Sequence, residues 1–554
     1  MALVLNFKKF LRKNNSALIF FRRIYSFYKY LDLYFLPKSK NNKQTDSLLF
    51  STFLGGEISP VRLESLISVK MNDLGFKSSF LLCDGCLEAC QLFKYNSYGD
   101  NIDWLANDKR LKQEMCKNCF HAGKKALSRH GEVIQLSHLL TDAKNLEFKY
   151  FQEINDFKEL INLKYNEIPI GEEGLAAYLR YYCVAEYIDN ELSRKILVKY
   201  IYSAYIVAVA MDRLLKNKPF DGLICNHGVY VPNGVVVRVA KQRKIPVIVW
   251  NLSYRKGTFL FSNGDTYHRE MICDDWWDKF TFNKKEQNII KDYLITRRTG
   301  SNDWLSFQRN QIDDPEIEDL RIKVNQYDKV YCMLTNVLWD AQIHFQENLF
   351  NNMLDWVFST IDFINEYKPN CFLFIRVHPA EDRGVIPTRQ RVADEISKKY
   401  GNLPENIMLI ESSSNITSYQ CADLSDVILI YGTKMGAEIA PSGKPVIVAG
   451  DAWVRGKGFT FDPKTEREYF VLLSSELKMD KDMLFRANKY AYYFFYKRCI
   501  EIPFLKYRKV YPPFRIPLSL INSKKLVKDK GLVEISQNIK HYVRNPSNNR
   551  PKGH

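Results

Sequence analysis

Three apolar runs in the second half of the chain end in residues that can hold phosphate or move a proton. Cys371 to Val377 carries Arg376 and runs into His378-Pro379. The proline stops both helix and strand, so the imidazole is presented rather than packed. Val427 to Ile430 ends at Tyr431-Gly432-Thr433, followed by a short helix-capable piece, Lys434 to Ala440. The Thr433 hydroxyl and bare N–H groups around Gly436 suit a phosphate, and Glu438, one turn on, suits a pair of ribose hydroxyls. Pro445 to Ala449 leads to Arg455-Gly456-Lys457-Gly458, a cationic loop able to neutralise a leaving phosphate. Each has an ordinary reading too. His378 can be a satisfied core histidine, Glu438 a first-turn acid held by the helix dipole, and Arg455 and Lys457 a solvated loop.

The elements positioning these residues read as βαβ units. Lys329 opens an α/β block, with strands at Val330 to Leu334, Cys371 to Val377, Ile407 to Ile410, Val427 to Ile430 and Pro445 to Ala449. Helical patterns fall at Asn351 to Tyr367 and Tyr419 to Leu424. An earlier block has strands at Ser47 to Phe53, Phe76 to Leu82, Asp221 to Asn226 and Pro246 to Trp250, with helices at Pro60 to Leu74 and Gly234 to Gln242. In open parallel sheets ligands bind beyond the carboxyl ends of the strands, where all the residues above fall. Asn283 to Asn325 reads as a charged, poorly periodic connection. Met479 to Cys499 reads as a long helix that can return to the first block.

The chain has 554 residues, 46% of them hydrophobic, enough for two cores plus tails. The expected division is an arm at 1–45, a first α/β domain at 46–300, a second at 325–475, and a return helix with basic tail at 476–554. No apolar run reaches membrane-spanning length, and Ala17 to Phe21 is too short for a signal-peptide core, so a cytoplasmic chain is expected. The net charge is +17. Residues 1–45 carry Lys8, Lys9, Arg12, Lys13, Arg22, Arg23, Lys29, Lys38, Lys40 and Lys43 against Asp32, with interleaved Phe and Tyr. That mixture suits an anionic membrane surface, each cation contributing about 1 kcal/mol; a solvated tail is the plain alternative. No nucleic-acid motif is recognisable, and nucleic acid is not expected as a partner.

Cysteines cluster at 83–120. Cys83-x-x-Cys86 and Cys116-x-x-Cys119 have the spacing of two knuckles of a four-thiolate zinc site, with Cys90 to spare. Structural zinc is the expected cofactor; an iron–sulfur cluster and unliganded or redox-active thiols remain alternatives.

The His-Pro pair, the Tyr-Gly-Thr-x-x-Gly-x-Glu turn at 431–438, Gly443-Lys-Pro-Val-Ile-Val-Ala-Gly450 and Arg455-Gly-Lys-Gly-Phe-Thr460 together resemble the capsule polysaccharide biosynthesis family. The resemblance is good over Tyr331 to Pro463 and fainter over Ser47 to His268. It implies a GT-B-like α/β fold of two Rossmann-type domains flanking a cleft, here with a Cys-rich insertion in the first. The implied activity is that of bacterial Kdo-transferase-like glycosyltransferases on the inner face of the cytoplasmic membrane. They would move a sugar from a CMP-sugar or other nucleotide-sugar donor to a lipid-linked or growing glycan. Carried over, His378 and Thr433 contact donor phosphates and Glu438 the ribose. The sequence departs from the family at Thr433-Lys434, where Ser-Thr is usual, and at Pro441, where Ala or Leu is usual. Transfer needs a group to take the acceptor proton. The candidates are Asp340 and His227, ahead of Glu57, Asp84 and His268; with retention Asp340 would be the nucleophile. Other readings are a polyol-phosphate transferase using a CDP-polyol, a nucleotide-sugar epimerase, and a non-catalytic membrane-associated scaffold.

Overall fold

In a computed structural model, residues 29–38, 46–95, 102–140, 148–304, 315–340, 348–384, 386–508, 512–520, 526 and 528–546 are described. Most of the basic arm lies outside them. Its described end, 29–38, packs into the first core rather than reaching out: Tyr30, Leu33 and Leu36 are buried. Asp32, the arm's acid, pairs with the buried Arg62 at 2.7 Å and accepts from the Ile516 amide at 3.0 Å.

A seven-stranded sheet contains β1 (Asp46–Phe53), β2 (Phe76–Leu82), β3 (Glu132–Gln135), β4 (Gly222–Asn226), β5 (Val247–Leu252), β6 (Thr258–Asn263) and β12 (Cys499–Glu501), in the order β12-β6-β5-β4-β1-β2-β3. The β3-β2-β1-β4-β5 part is parallel; β6 and β12 add antiparallel edges. A five-stranded, wholly parallel sheet contains β7 (Lys329–Leu334), β8 (Cys371–Arg376), β9 (Ile407–Ile410), β10 (Val427–Ile430) and β11 (Val446–Val448), in the order β11-β10-β7-β8-β9. The strands buried on both faces are near-continuous apolar runs because helices cover both sides. The α/β class with parallel sheets is as expected.

Strand order reverses between β1 and β4 in the first sheet and between β7 and β10 in the second. At such a point neighbouring connections leave to opposite faces, so the strand ends open a crevice. Gly55 to Glu57 and His227 to Tyr230 lie at the first crevice; Thr335, Asn336 and Gly432 to Lys434 lie at the second.

Two segments differ from expectation. The connection after 283 contains a helix, α1 (Lys284–Thr299), opened by a reciprocal Asn283/Glu286 capping box. The return helix α2 (Lys481–Tyr492) continues through a π turn, Tyr493–Lys497, into β12, which pairs with β6. Among the described residues no helix is long and apolar enough to cross a membrane.

Candidate active site

The tips of β7, β8 and β10 are tied to one another. The Thr335 amide donates to the Arg376 carbonyl at 3.2 Å, and the His378 amide donates to the Thr335 hydroxyl at 3.0 Å. Asn336 lies across from Gly432, its Nδ2 being 3.9 Å from where a Gly432 Cβ would sit. The buried Asn336 Oδ1 has no hydrogen-bond partner among the described residues. His378 Nδ1 accepts from the Ala380 amide at 3.0 Å, which leaves the imidazole proton on Nε2. Desolvation pushes its pKa down to about 3, and the charges of Lys434 and Arg376 add to that. The ring is therefore a neutral donor at physiological pH.

Thr433 is nearly buried, its hydroxyl accepting from the Met435 amide at 3.4 Å. Gly436 is glycine because of a close approach: a Cβ there would lie 2.8 Å from Ile430 Cδ1 and 2.9 Å from Val454 Cγ2. Pro441 falls in a 3₁₀ turn, Ala440–Ser442, after the short helix Met435–Ile439, so it interrupts no helical hydrogen bond there.

Glu438 is not presented to a ligand. None of its side chain is exposed, and its Oε1 lies 2.6 Å from Arg297 Nη2. Lys434 Nζ donates to the same oxygen at 2.7 Å, and the Tyr419 hydroxyl donates to Oε2. Arg297, on α1, also pairs with Asp303 at 2.7 Å. Burial raises the Glu438 carboxyl, but Arg297 and Lys434 overcome it and hold the pKa at about 2. A ribose role would require breaking this network. Lys434, the departure from the family turn, is part of that buried network and stands 5.3 Å from the Tyr254 ring.

Three predicted cations also have structural partners. Arg376 Nη1 donates to the carbonyls of Val377 at 2.7 Å and Glu411 at 2.6 Å. Arg455 Nη1 donates to the Val448 carbonyl at 2.7 Å, and its Nη2 to that of Pro463. Lys457 Nζ donates to the carbonyls of Ile272 at 2.9 Å and Asp274 at 2.6 Å. The 455–458 loop is thus pinned to the segment before α1 rather than swinging freely. Gly456 and Lys457 line a cavity of about 380 Å³ with Asp275, Asp278, Lys279 and Arg486.

Asp340 and His227 come together from opposite sheets. The Tyr230 hydroxyl donates to Asp340 Oδ1 at 3.2 Å, and the Tyr230 ring stacks 5.9 Å from His227. His227 and Tyr230 hold φ of 68° and 64°, a conformation costing about 1–3 kcal/mol that surrounding structure must impose. Asp340 reaches solvent, yet desolvation pushes its carboxyl above the usual range while Arg180 and Tyr230 pull it back. His268 lies 5.7 Å from His227 and 4.0 Å from Tyr267, and the Tyr254 and Tyr267 hydroxyls are 3.2 Å apart. Trp453, from the second block, donates to the His268 carbonyl at 3.1 Å. Asp84 is occupied by the Ser137 amide at 3.1 Å and hydroxyl.

Tyr230, Tyr254, Tyr267 and Asn336 carry no motif of their own; their place at strand ends was the available signal. Arg297 was hidden in the charged connection.

The cysteines approach one another at the β1 and β2 ends without forming the expected zinc site. Among the described residues no three His, Cys, Asp or Glu are placed to hold a metal. Cys119 Sγ accepts from the Gly56 amide at 3.1 Å. The Cys86 thiol hydrogen-bonds to Cys83, holding Cys83 at about 7. Burial pushes Cys116 up to about 11 and Cys119 to about 12, which keeps both as neutral thiols.

A family pattern described as capsule polysaccharide biosynthesis protein matches residues 243–498. No curated protein matches the chain. Among solved structures, KpsC beta Kdo 2,4 transferase of Thermosulfurimonas dismutans is 14% identical, with a TM-score of 0.32, covering 56% of this chain and 87% of that one. The KpsC beta Kdo 2,7 transferase of the same organism is 13% identical at a TM-score of 0.30, covering 50% and 79%. The UDP-GlcNAc 2-epimerase of Neisseria meningitidis is 12% identical at 0.22, covering 81% and 94%. At these scores the superpositions establish neither chemistry nor mechanism. The sequence match stands on its own: residues 243–498 are similar to the capsule polysaccharide biosynthesis family.

Proposed function

We propose that the protein is a GT-B-type glycosyltransferase of capsule or surface polysaccharide assembly, moving a sugar from a nucleotide donor to a glycan acceptor in the cleft between the two sheets. The observation that carries this reading is the Tyr230–Asp340 hydrogen bond. It joins the switch-point edge of the first sheet to that of the second, opposite the linked tips of β7, β8 and β10.

In this reading the donor nucleotide lies at those tips. His378 Nε2–H and the Thr433 hydroxyl face the phosphates, and the orphaned Asn336 Oδ1 accepts from a hydroxyl or base N–H. Asp340 takes the proton from the acceptor hydroxyl. The acceptor oxygen bonds to the anomeric carbon, and the bond from that carbon to the donor phosphate breaks with its electron pair left on phosphate. The raised Asp340 carboxyl suits a base, and His227, across Tyr230, positions the acceptor. Glu438, Arg297 and Lys434 brace the donor turn instead of touching the ribose.

The test is product analysis. The purified chain is incubated with CMP-, UDP- and GDP-sugars and an oligosaccharide acceptor, and the new linkage is read by mass spectrometry. A glycosidic linkage is expected. A phosphodiester would point to the polyol-phosphate chemistry, and no product with any donor would sink the reading.

A further inference from the structure

Two guanidinium groups, Arg180 near Asp340 and Arg389 on a loop pinned to Cys183, are held by aromatic faces instead of carboxylates. Arg180, in the last turn of α3 (Ile170–Tyr182), stands 4.7 Å from the Tyr230 ring and 6.0 Å from that of Trp339. Arg389, from the loop beyond β8, stands 5.1 Å from Tyr182 and 5.7 Å from Tyr95. Among the described residues neither forms an ion pair. Their backbones are fixed to each other: the amides of Arg389 and Gln390 donate to the Cys183 carbonyl at 3.2 and 3.3 Å, and the Cys183 thiol donates to the Arg180 carbonyl at 3.3 Å. Gln390 Oε1 also accepts from the Ala185 amide at 2.8 Å. Both arginines and Lys94 act electrostatically on the Cys183 thiol. The acids within reach are Asp340 toward Arg180, Glu57 toward Lys94, and Asp103 toward Tyr181 and Tyr182.

A guanidinium stacked on a ring keeps its edge N–H groups directed outward in a plane that matches a carboxylate or phosphate. Two cations without a bonded carboxylate among the described residues, Arg180 half-buried on its helix and Arg389 exposed on a pinned loop, make a receptor for an anion. We infer that Arg180 and Arg389 bind an anionic group of the acceptor, a phosphate or a carboxylate, and so bring its hydroxyl to Asp340. This rests on the reading above that Asp340 faces the acceptor. It adds the acceptor's charge: a neutral glycan would leave these cations unmatched.

The test is calorimetric titration of the full chain with glycerol 3-phosphate, with glucuronate and with glucose, alongside CMP and UMP. Binding of at least one anion but not glucose is expected, and which anion wins separates phosphate from carboxylate. Arg180→Gln with Arg389→Gln should weaken that binding about tenfold or more, leave nucleotide affinity within about twofold, and be partly rescued by lysine at both positions. Anion affinity unchanged in the double variant, no anion bound by the wild type, or an equal fall in nucleotide affinity would each overturn it. Arginine-dependent anion binding by a chain that binds no nucleotide would overturn the donor reading instead, and leave the anion site standing.

Discussion

Asp340 reaches solvent and Glu438 is enclosed, and their surroundings shift the two carboxyls in opposite directions. Asp340 accepts from the Tyr230 hydroxyl with Arg180 nearby, yet desolvation outweighs both and its carboxyl rises. Glu438 receives Arg297, Lys434 and Tyr419, so its carboxyl is held at about 2. Asp340→Asn should therefore reduce turnover by about 10²- to 10⁴-fold with nucleotide affinity unchanged, and remove the acid limb of the kcat–pH profile. Glu438→Ala should cost about 3 kcal/mol in denaturant unfolding, because it strands Arg297 and Lys434 in the interior. The Glu438 contribution is present above its ordinary value of 4.5 and is lost as pH falls from there toward 2. Glu64 has the opposite sign. It is buried against the Thr52 hydroxyl at 2.5 Å and Trp250 Nε1 at 3.0 Å, and desolvation raises it from 4.5 to about 7. It stabilises below 4.5, and that stability is lost as pH rises through 7. Glu64→Gln should reduce the decline between unfolding midpoints measured at pH 5 and pH 8, the remainder including Glu381, which burial also raises to about 7; an unchanged decline would refute the assignment.

At the scale of elements, the strands that place the site were legible because they are apolar runs closed by Gly, Pro or Asn. Phe76–Leu82 and Ile407–Ile410 match their sequence readings end to end. The elements that escaped lack that contrast. α1 buries only Ile290, Tyr293 and Arg297 among charged neighbours, so its periodicity is faint; the Asn283/Glu286 capping box was the readable signal. β3, a partly exposed edge strand, alternates too little to stand out. The Cys-x-x-Cys spacings were legible, but spacing does not say whether sulfurs converge on an ion or, like Cys119, accept from a loop amide. Glycine spacing was legible too, though not its partner. A Cβ on Gly55 would lie 2.5 Å from the Cys119 carbonyl oxygen and 2.7 Å from Gly123 Cα. Gly55→Ala should push the helix Lys109–Leu127 off the β1 end and cost about 1–3 kcal/mol by denaturant unfolding. A neutral substitution would contradict that packing.

At the scale of the whole molecule, the chain returns to its first sheet through α2 and β12, and Arg297 on α1 reaches from the connection to Glu438 in the turn after β10. These crossings fix how the two crevices face each other. Tyr30, Leu33 and Leu36 anchor the described end of the arm in the core, so the membrane reading is tested on the residues ahead of Lys29. Deleting residues 1–28 should lower binding to anionic liposomes at low salt, with little change in unfolding midpoint. Undiminished binding would remove the membrane reading. The central claim is that the β7, β8 and β10 tips form one nucleotide site facing Asp340. A crystal structure of the full chain with a bound nucleotide tests it directly. The account predicts phosphate oxygens within hydrogen-bond distance of His378 Nε2 and the Thr433 hydroxyl, with Asn336 Oδ1 newly paired. A nucleotide seated elsewhere, or one bound by Glu438 after the Arg297 pair has opened, would contradict it.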